Sequence, residues 1–137
     1  MPEIIGIDFG LKRTGLAISD SLQIIATPHK TVDSKDLMDE ISSLFKSKNI
    51  REIVVGFPTR MDGSDSDITQ NVHLLKEAIE KNFNGIQVYF QDERFTSKIA
   101  SQTISKIGTN KQKKNKNLID QVSATVILQD FLNRKNT

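Results

Sequence analysis

IIGIDFGLKRTGLAISD, residues 4–20, is the stretch that decides the fold. Read as a strand, its first half alternates between two faces, with Ile5, Ile7 and Phe9 on one and Ile4, Gly6, Asp8 and Gly10 on the other. Asp8 therefore stands on a face cleared by two residues that have no side chain. A buried ionised carboxylate costs on the order of several kcal/mol unless it is compensated. Asp8 thus requires a cation, strong hydrogen-bond donors, or solvent at a strand end. Leu11, Lys12 and Arg13 turn the chain, and residues 14–19 return as a second, antiparallel strand.

Working outward, residues 23–27 read as a third strand ended by Pro28. The period then changes. Asp33 or Ser34 can cap a helix that carries Leu37, Met38, Ile41, Leu44 and Phe45 on one face. Residues 51–57 (REIVVGF) are a buried strand closed by Pro58, and a polar loop spans 59–67. A second helix has Ile68, Val72, Leu75 and Ile79 as its stripe and stops at Gly85. Residues 86–91 form the next strand. Thr96 or Ser97 opens a short helix with Ile99, Ala100, Thr103 and Ile104. A lysine-rich loop follows Gly108, and a last helix covers residues 118–133. The order β-β-β-α-β-α-β-α-α implies an α/β fold, a central mixed five-stranded sheet flanked by helices, in one domain over residues 1–137.

Composition narrows the chemistry. With no cysteine, disulfides, thiolate metal sites and thiol nucleophiles are excluded, and His29 and His73 are too few for a histidine-rich metal centre. No apolar run approaches the roughly 20 residues of a membrane span, and residues 1–3 lead straight into a short apolar run without a signal-peptide pattern. A cytoplasmic location is the expectation. The net charge of +2 is uneven: residues 94–119 hold seven basic residues and no acid, so the remainder carries −5. A basic surface set against an acidic body suits a phosphodiester partner, since each neutralised phosphate releases counterions.

Three acidic positions stand out. Asp8 lies near the end of the first strand, Asp92 and Glu93 close the strand at 86–91, and Asp120 opens the last helix, with Ser123, Ala124 and Ile127 continuing its face. Strand ends are where sites form in such sheets. Carboxylates gathered from separate elements need a cation, and all-oxygen ligation favours Mg²⁺ or Mn²⁺. The acidic loop Asp62, Asp65, Asp67 does not fit a calcium loop, because Asp67 falls where glycine belongs and His73 where the bidentate glutamate belongs.

In order along the chain, GIDFGLKRTGLAISD, VVGFPTRMDG, DERFTS and IDQVSATVILQDF resemble the YqgF family, known as pre-16S ribosomal RNA nucleases and as Holliday-junction-resolvase-like proteins. The resemblance spans residues 4–131. It implies an RNase H-like fold and a catalytic, metal-holding triad of Asp8, Glu93 and Asp120, which leaves Asp92 a supporting role. Lys12, Arg13 and Arg94 match basic positions of the motifs. With Arg60, Lys113, Lys114 and Lys116 they are the expected substrate contacts, holding the backbone without reading bases. Gln121 and Ser123 stand where the family more usually has serine and alanine, and Ser66 where glycine is common. The implied function is metal-dependent hydrolysis of a phosphodiester, with pre-16S ribosomal RNA as substrate, the small ribosomal subunit or its precursor as partner, and a monomer as the working form. The alternatives are a dimeric junction endonuclease, since junction cutting needs two symmetric sites, and an RNA-binding ribosome-assembly factor without turnover.

Overall fold

The polypeptide alternates apolar residues at a period of two in its first third and at a helical period afterwards, and the elements follow that change. The computed structural model describes residues 2–57, 67–92 and 116–136, with side chains from residues 69 and 118 onward in the last two segments. Five strands form one sheet: β1 (Glu3–Phe9), β2 (Arg13–Ser19), β3 (Ala26–Asp33), β4 (Ile50–Phe57) and β5 (Gln87–Asp92), in the order β3-β2-β1-β4-β5. β1, β2 and β3 meander antiparallel, whereas β4 and β5 run parallel to β1. Three α-helices accompany them among the described residues: α1 (Leu37–Ser47), α2 (Asp67–Asn82) and α3 (Lys116–Lys135). The mixed five-stranded sheet flanked by helices is the architecture expected from the sequence. The short helix and lysine-rich loop expected between β5 and α3 lie outside the described residues.

Each sheet face has its own core. Ile5, Ile7, Leu16, Ile53, Val55 and Val88 pack under α1 and α2 with Leu37, Ile41, Leu44, Val72, Leu75, Ile79 and Phe83. On the other face Ile4, Ala17 and Val54 meet Ala124, Ile127, Leu128 and Leu132 of α3. Helix α3 approaches the sheet closely because β1 is cut away beneath it. A Cβ on Gly6 would stand 2.6 Å from the Leu128 Cβ and 3.0 Å from the Ala124 carbonyl oxygen.

Several boundaries depart from the sequence expectation. The third strand runs through Pro28 to Asp33 instead of ending there. It is an edge strand, and its register against β2 shifts between Leu16 and Ala17, where Pro28 pairs, so the missing N–H removes no essential ladder bond. Ile24 and Ile25, expected in that strand, lie in the turn before it. There Gln23 adopts φ +59°, and Leu22, Ile24 and Ile25 are exposed. The turn is held by Asp20, whose Oδ1 accepts the Ile24 and Ile25 N–H groups at 2.7 and 3.0 Å. Gln129 of α3 also holds it, donating to the Ile24 carbonyl and accepting from the Ala26 N–H, both at 2.9 Å. Neither Asp33 nor Ser34 caps α1 with its side chain. A 3-10 turn, Ser34–Asp36, comes first, and the Ser34 hydroxyl is engaged elsewhere. Helix α3 begins at Lys116, so Asp120 lies beyond its first turn, which contains no acid.

Candidate active site

The site is built on the sheet face that α3 covers. Gly6 faces α3, so Asp8, two residues on, shares that face. Its cross-strand partner is Gly15 of β2. Gly15 is the seat of α3: a Cβ there would fall 2.1 Å from the carbonyl oxygen of Asp120, 2.3 Å from its carbonyl carbon and 3.0 Å from its Cβ. Only a residue without a side chain lets the helix backbone rest on β2 at this point. Asp8 and Asp120, 112 positions apart in the sequence, are thereby set on adjoining positions of one surface, the first by strand register and the second by helix seating.

The electrostatics follow from Arg13. At the head of β2, on the same face as Gly15, it donates from Nε to Asp120 Oδ2 at 3.0 Å. Both side chains are partly open to solvent, at 38% and 22% exposure, so the pair can be exchanged for a ligand or an ion without opening the core. Asp8 is half-buried, and Lys12, in the turn between β1 and β2, is exposed.

That turn is clamped from behind. The Ser34 N–H donates to the Lys12 carbonyl at 2.9 Å, and the Ser34 hydroxyl donates to the Gly10 carbonyl at 2.5 Å. Because the Ser34 proton goes to Gly10, the buried Thr14 hydroxyl donates to Ser34 Oγ at 2.8 Å. One serine thus fixes the turn that carries Lys12 and Arg13. The sequence reading assigned Ser34 to helix capping and missed this, since the contact joins residues 24 positions apart.

Across the sheet the face continues. One residue beyond the Ile7–Val55 pair, Asp8 comes level with Gly56, whose partner in β5 is Gln91. Gln91 is buried, and its side-chain amide donates to Asp130 of α3. Asp92, the next residue, is exposed and on the opposite face by alternation, so it does not join Asp8 and Asp120. Glu93, Arg60, Arg94, Lys113 and Lys114 lie outside the described residues, as does the side chain of Lys116. Of the expected triad the structure sets Asp8 and Asp120 on adjoining positions of one surface; of the expected substrate contacts Arg13 is paired with Asp120, and Lys12 lies in the exposed turn before it. Among the described residues no three His, Asp or Glu side chains gather as a metal cluster. Ser123, a departure from the resemblance noted above, is buried on α3, and its hydroxyl has no hydrogen-bond partner among the described residues.

With this geometry defined, the profile of the RuvX family, described as Holliday junction resolvase, matches residues 2–134. The chain belongs to the RuvX family. Its similarity extends to a Flavobacterium psychrophilum protein named "Putative pre-16S rRNA nuclease", 40% identical over 136 residues, covering 98% of this chain and 99% of that one. A Bacteroides fragilis protein of the same name is 38% identical with the same coverage. Among solved structures, Thermus thermophilus RuvC in complex with a Holliday junction substrate superposes with a TM-score of 0.58 at 14% identity, covering 100% of this chain and 98% of that one. At that identity the likeness is one of fold: this RuvX-family chain has the RNase H-like fold of RuvC. No described helix is long and apolar enough to cross a membrane.

Proposed function

We propose that this protein is a nuclease that hydrolyses phosphodiester bonds of precursor 16S ribosomal RNA with a divalent metal, working as a monomeric single domain over residues 1–137 in the cytoplasm and acting on the small ribosomal subunit or its precursor. The observation that carries the reading is the convergence of Asp8 and Asp120 on Gly15. Two carboxylates, from a strand and a helix, both partly open to solvent, stand on adjoining positions of one surface with Arg13 on Asp120. The names of the relatives at 38–40% identity supply the substrate.

The donor set fits a hard cation. Carboxylate oxygens suit Mg²⁺ or Mn²⁺, and the guanidinium on Asp120 shows that this position already attracts positive charge. Asp8 and Asp120 would hold the metal, joined by Glu93. Glu93 enters as the acid that the resemblance of the DER motif implies. When bound, such ions supply an activated water and stabilisation of the leaving oxygen. The protein's own part is positioning. The sheet fixes Asp8, the Gly15 seat fixes Asp120, and the Ser34 clamp holds Lys12 and Arg13 where they can meet phosphate oxygens. Arg60, Arg94, Lys113, Lys114 and Lys116 are the further basic residues that would hold the RNA backbone. Arg13 is suited to alternate between Asp120 and a phosphate, because their pair is partly exposed.

The test is cleavage, in parallel, of end-labelled precursor 16S ribosomal RNA and of a four-way DNA junction, with Mn²⁺ or Mg²⁺ and with chelator. Metal-dependent cutting of the RNA is expected. Cutting of the junction alone would replace the proposal with a resolvase and require a dimer. Binding of RNA without cutting would replace it with an assembly factor.

A further inference from the structure

Asp120 already has a positive partner, and that partner stands on the strand that seats its helix. Arg13 donates from Nε to Asp120 Oδ2 at 3.0 Å, which among the described residues is one bond rather than the two parallel bonds of a guanidinium–carboxylate fork. The backbone is fixed at both ends of this bond. Arg13 pairs with Asp33 in the ladder between β2 and β3. A Cβ on Gly10 would fall 2.5 Å from the Arg13 carbonyl oxygen, so the turn before Arg13 is tightly closed. Asp120 is held by its seat on Gly15. Only the two side chains can part, and because both are partly exposed they part into solvent at little cost.

We propose that Arg13 competes with the divalent cation for Asp120, and that the guanidinium so released takes an RNA phosphate, which makes cation and RNA bind cooperatively through this one residue. The proposal rests on the nuclease reading with its divalent ion and adds a linkage to it. The competition is electrostatic. While Arg13 stays on Asp120, a cation on the same carboxylate stands against a like charge, so each disfavours the other. Once displaced, the guanidinium lacks an acceptor. A phosphodiester oxygen supplies one, since the planar donor set of arginine suits phosphate as well as carboxylate. RNA that draws Arg13 away in turn leaves Asp120 open to the cation. The two effects are equal in size, because linkage between binding sites is reciprocal.

The full chain, labelled with ¹⁵N, is followed by NMR during titration with Mg²⁺ without RNA. Backbone amide shifts give the affinity, and the assigned Arg13 Nε–H reports the pair itself. That signal should move from its carboxylate-bonded position towards that of a free arginine as Mg²⁺ binds. Arg13→Gln should bind Mg²⁺ roughly three- to tenfold more tightly than wild type, the share of one partly exposed ion pair. RNA affinity is then read from the anisotropy of an end-labelled twelve-nucleotide single strand, in chelator and in saturating Mg²⁺, by stopped flow before cutting begins. Arg13→Gln should weaken RNA binding about three- to tenfold in Mg²⁺ and by less than about twofold in chelator. An arginine with a merely structural role, or one always on phosphate, would give the same loss in both. If Arg13→Gln fails to fold, the Nε–H signal of the wild type decides alone. Mg²⁺ binding that leaves this signal in place, or an equal loss of RNA affinity in chelator and Mg²⁺, would overturn the competition. Either result leaves the nuclease reading intact, because metal-dependent cutting is measured separately. Absence of Mg²⁺ binding both with and without RNA would overturn both.

Discussion

Replacing Gly15 with alanine places one methyl group between β2 and α3. The Cβ would lie 2.1 Å from the Asp120 carbonyl oxygen and 2.3 Å from its carbonyl carbon, whereas ordinary contact begins near 3.4 Å. Both partners are backbone, so no rotamer change relieves the clash, and the helix must retreat by about 1.3 Å. Overpacking of this kind costs roughly 1–3 kcal/mol. At roughly 4 °C per kcal/mol for a domain of this size, the Tm should fall by about 4–12 °C. The rate should fall further than the stability suggests, because a displacement of about 1 Å in a positioned group costs on the order of a hundredfold. Gly6→Ala is the comparison. Its Cβ meets Leu128 and Ala124 of the same helix, one to two turns from Asp120. It should lower the Tm by a similar amount with a much smaller loss of rate. The assay is single-turnover, metal-dependent RNA cleavage well below each variant's Tm, alongside thermal unfolding followed by circular dichroism. Gly15→Ala with Tm and rate both within error of wild type would refute the idea that helix seating sets the carboxylate pair.

Further outcomes follow from other contacts. Arg13→Gln should change stability by less than about 1 kcal/mol, since its pair with Asp120 is partly exposed. It should also reduce the slope of log affinity against log salt for single-stranded RNA by about 0.7, the share of one phosphate contact; an unchanged slope would remove Arg13 from the substrate surface. Ser34→Ala leaves the Gly10 carbonyl and Thr14 hydroxyl without their partner, and unfolding by urea should show a loss of about 1–3 kcal/mol; a neutral result would mean that the turn holds itself. The Asp20 carboxyl is held below its ordinary value by hydrogen bonds from the Ile25 and Ile24 backbone N–H groups. Its stabilising effect is therefore present above the unfolded-state value of 3.8 and is lost as pH falls through the lower folded value. Asp20→Asn should flatten the decline of Tm between about pH 4 and pH 2, and an unchanged acid slope would contradict this.

The architecture was legible because its signals are local. Alternation at Ile4–Phe9 and the stripe Leu37, Ile41, Leu44 require only neighbours in sequence, and both appear in the structure as read. The errors come where tertiary context decides. Pro28 reads as a stop, yet at an edge strand with a register shift it costs the ladder little. Ile24 and Ile25 read as strand core, yet Asp20 and Gln129 fold them into a turn. At the site, Asp8 and Asp120 were each identifiable as acids in unusual positions. That they share one surface depends on Gly15, whose only sequence signal is a glycine inside a strand, the mark of a close backbone approach. The Ser34 clamp and the Gln91–Asp130 bond join residues 24 and 39 positions apart and leave no periodic trace.

The central claim is that Asp8 and Asp120 act as one carboxylate pair in metal-dependent RNA cleavage. The most direct measurement is Mn²⁺-dependent cleavage of precursor 16S ribosomal RNA by wild type, Asp8→Asn and Asp120→Asn, with circular dichroism confirming that all three are folded. Wild type should cut, and each variant should lose activity by a similarly large factor while keeping its fold. Cleavage at an undiminished rate by either folded variant would contradict the account.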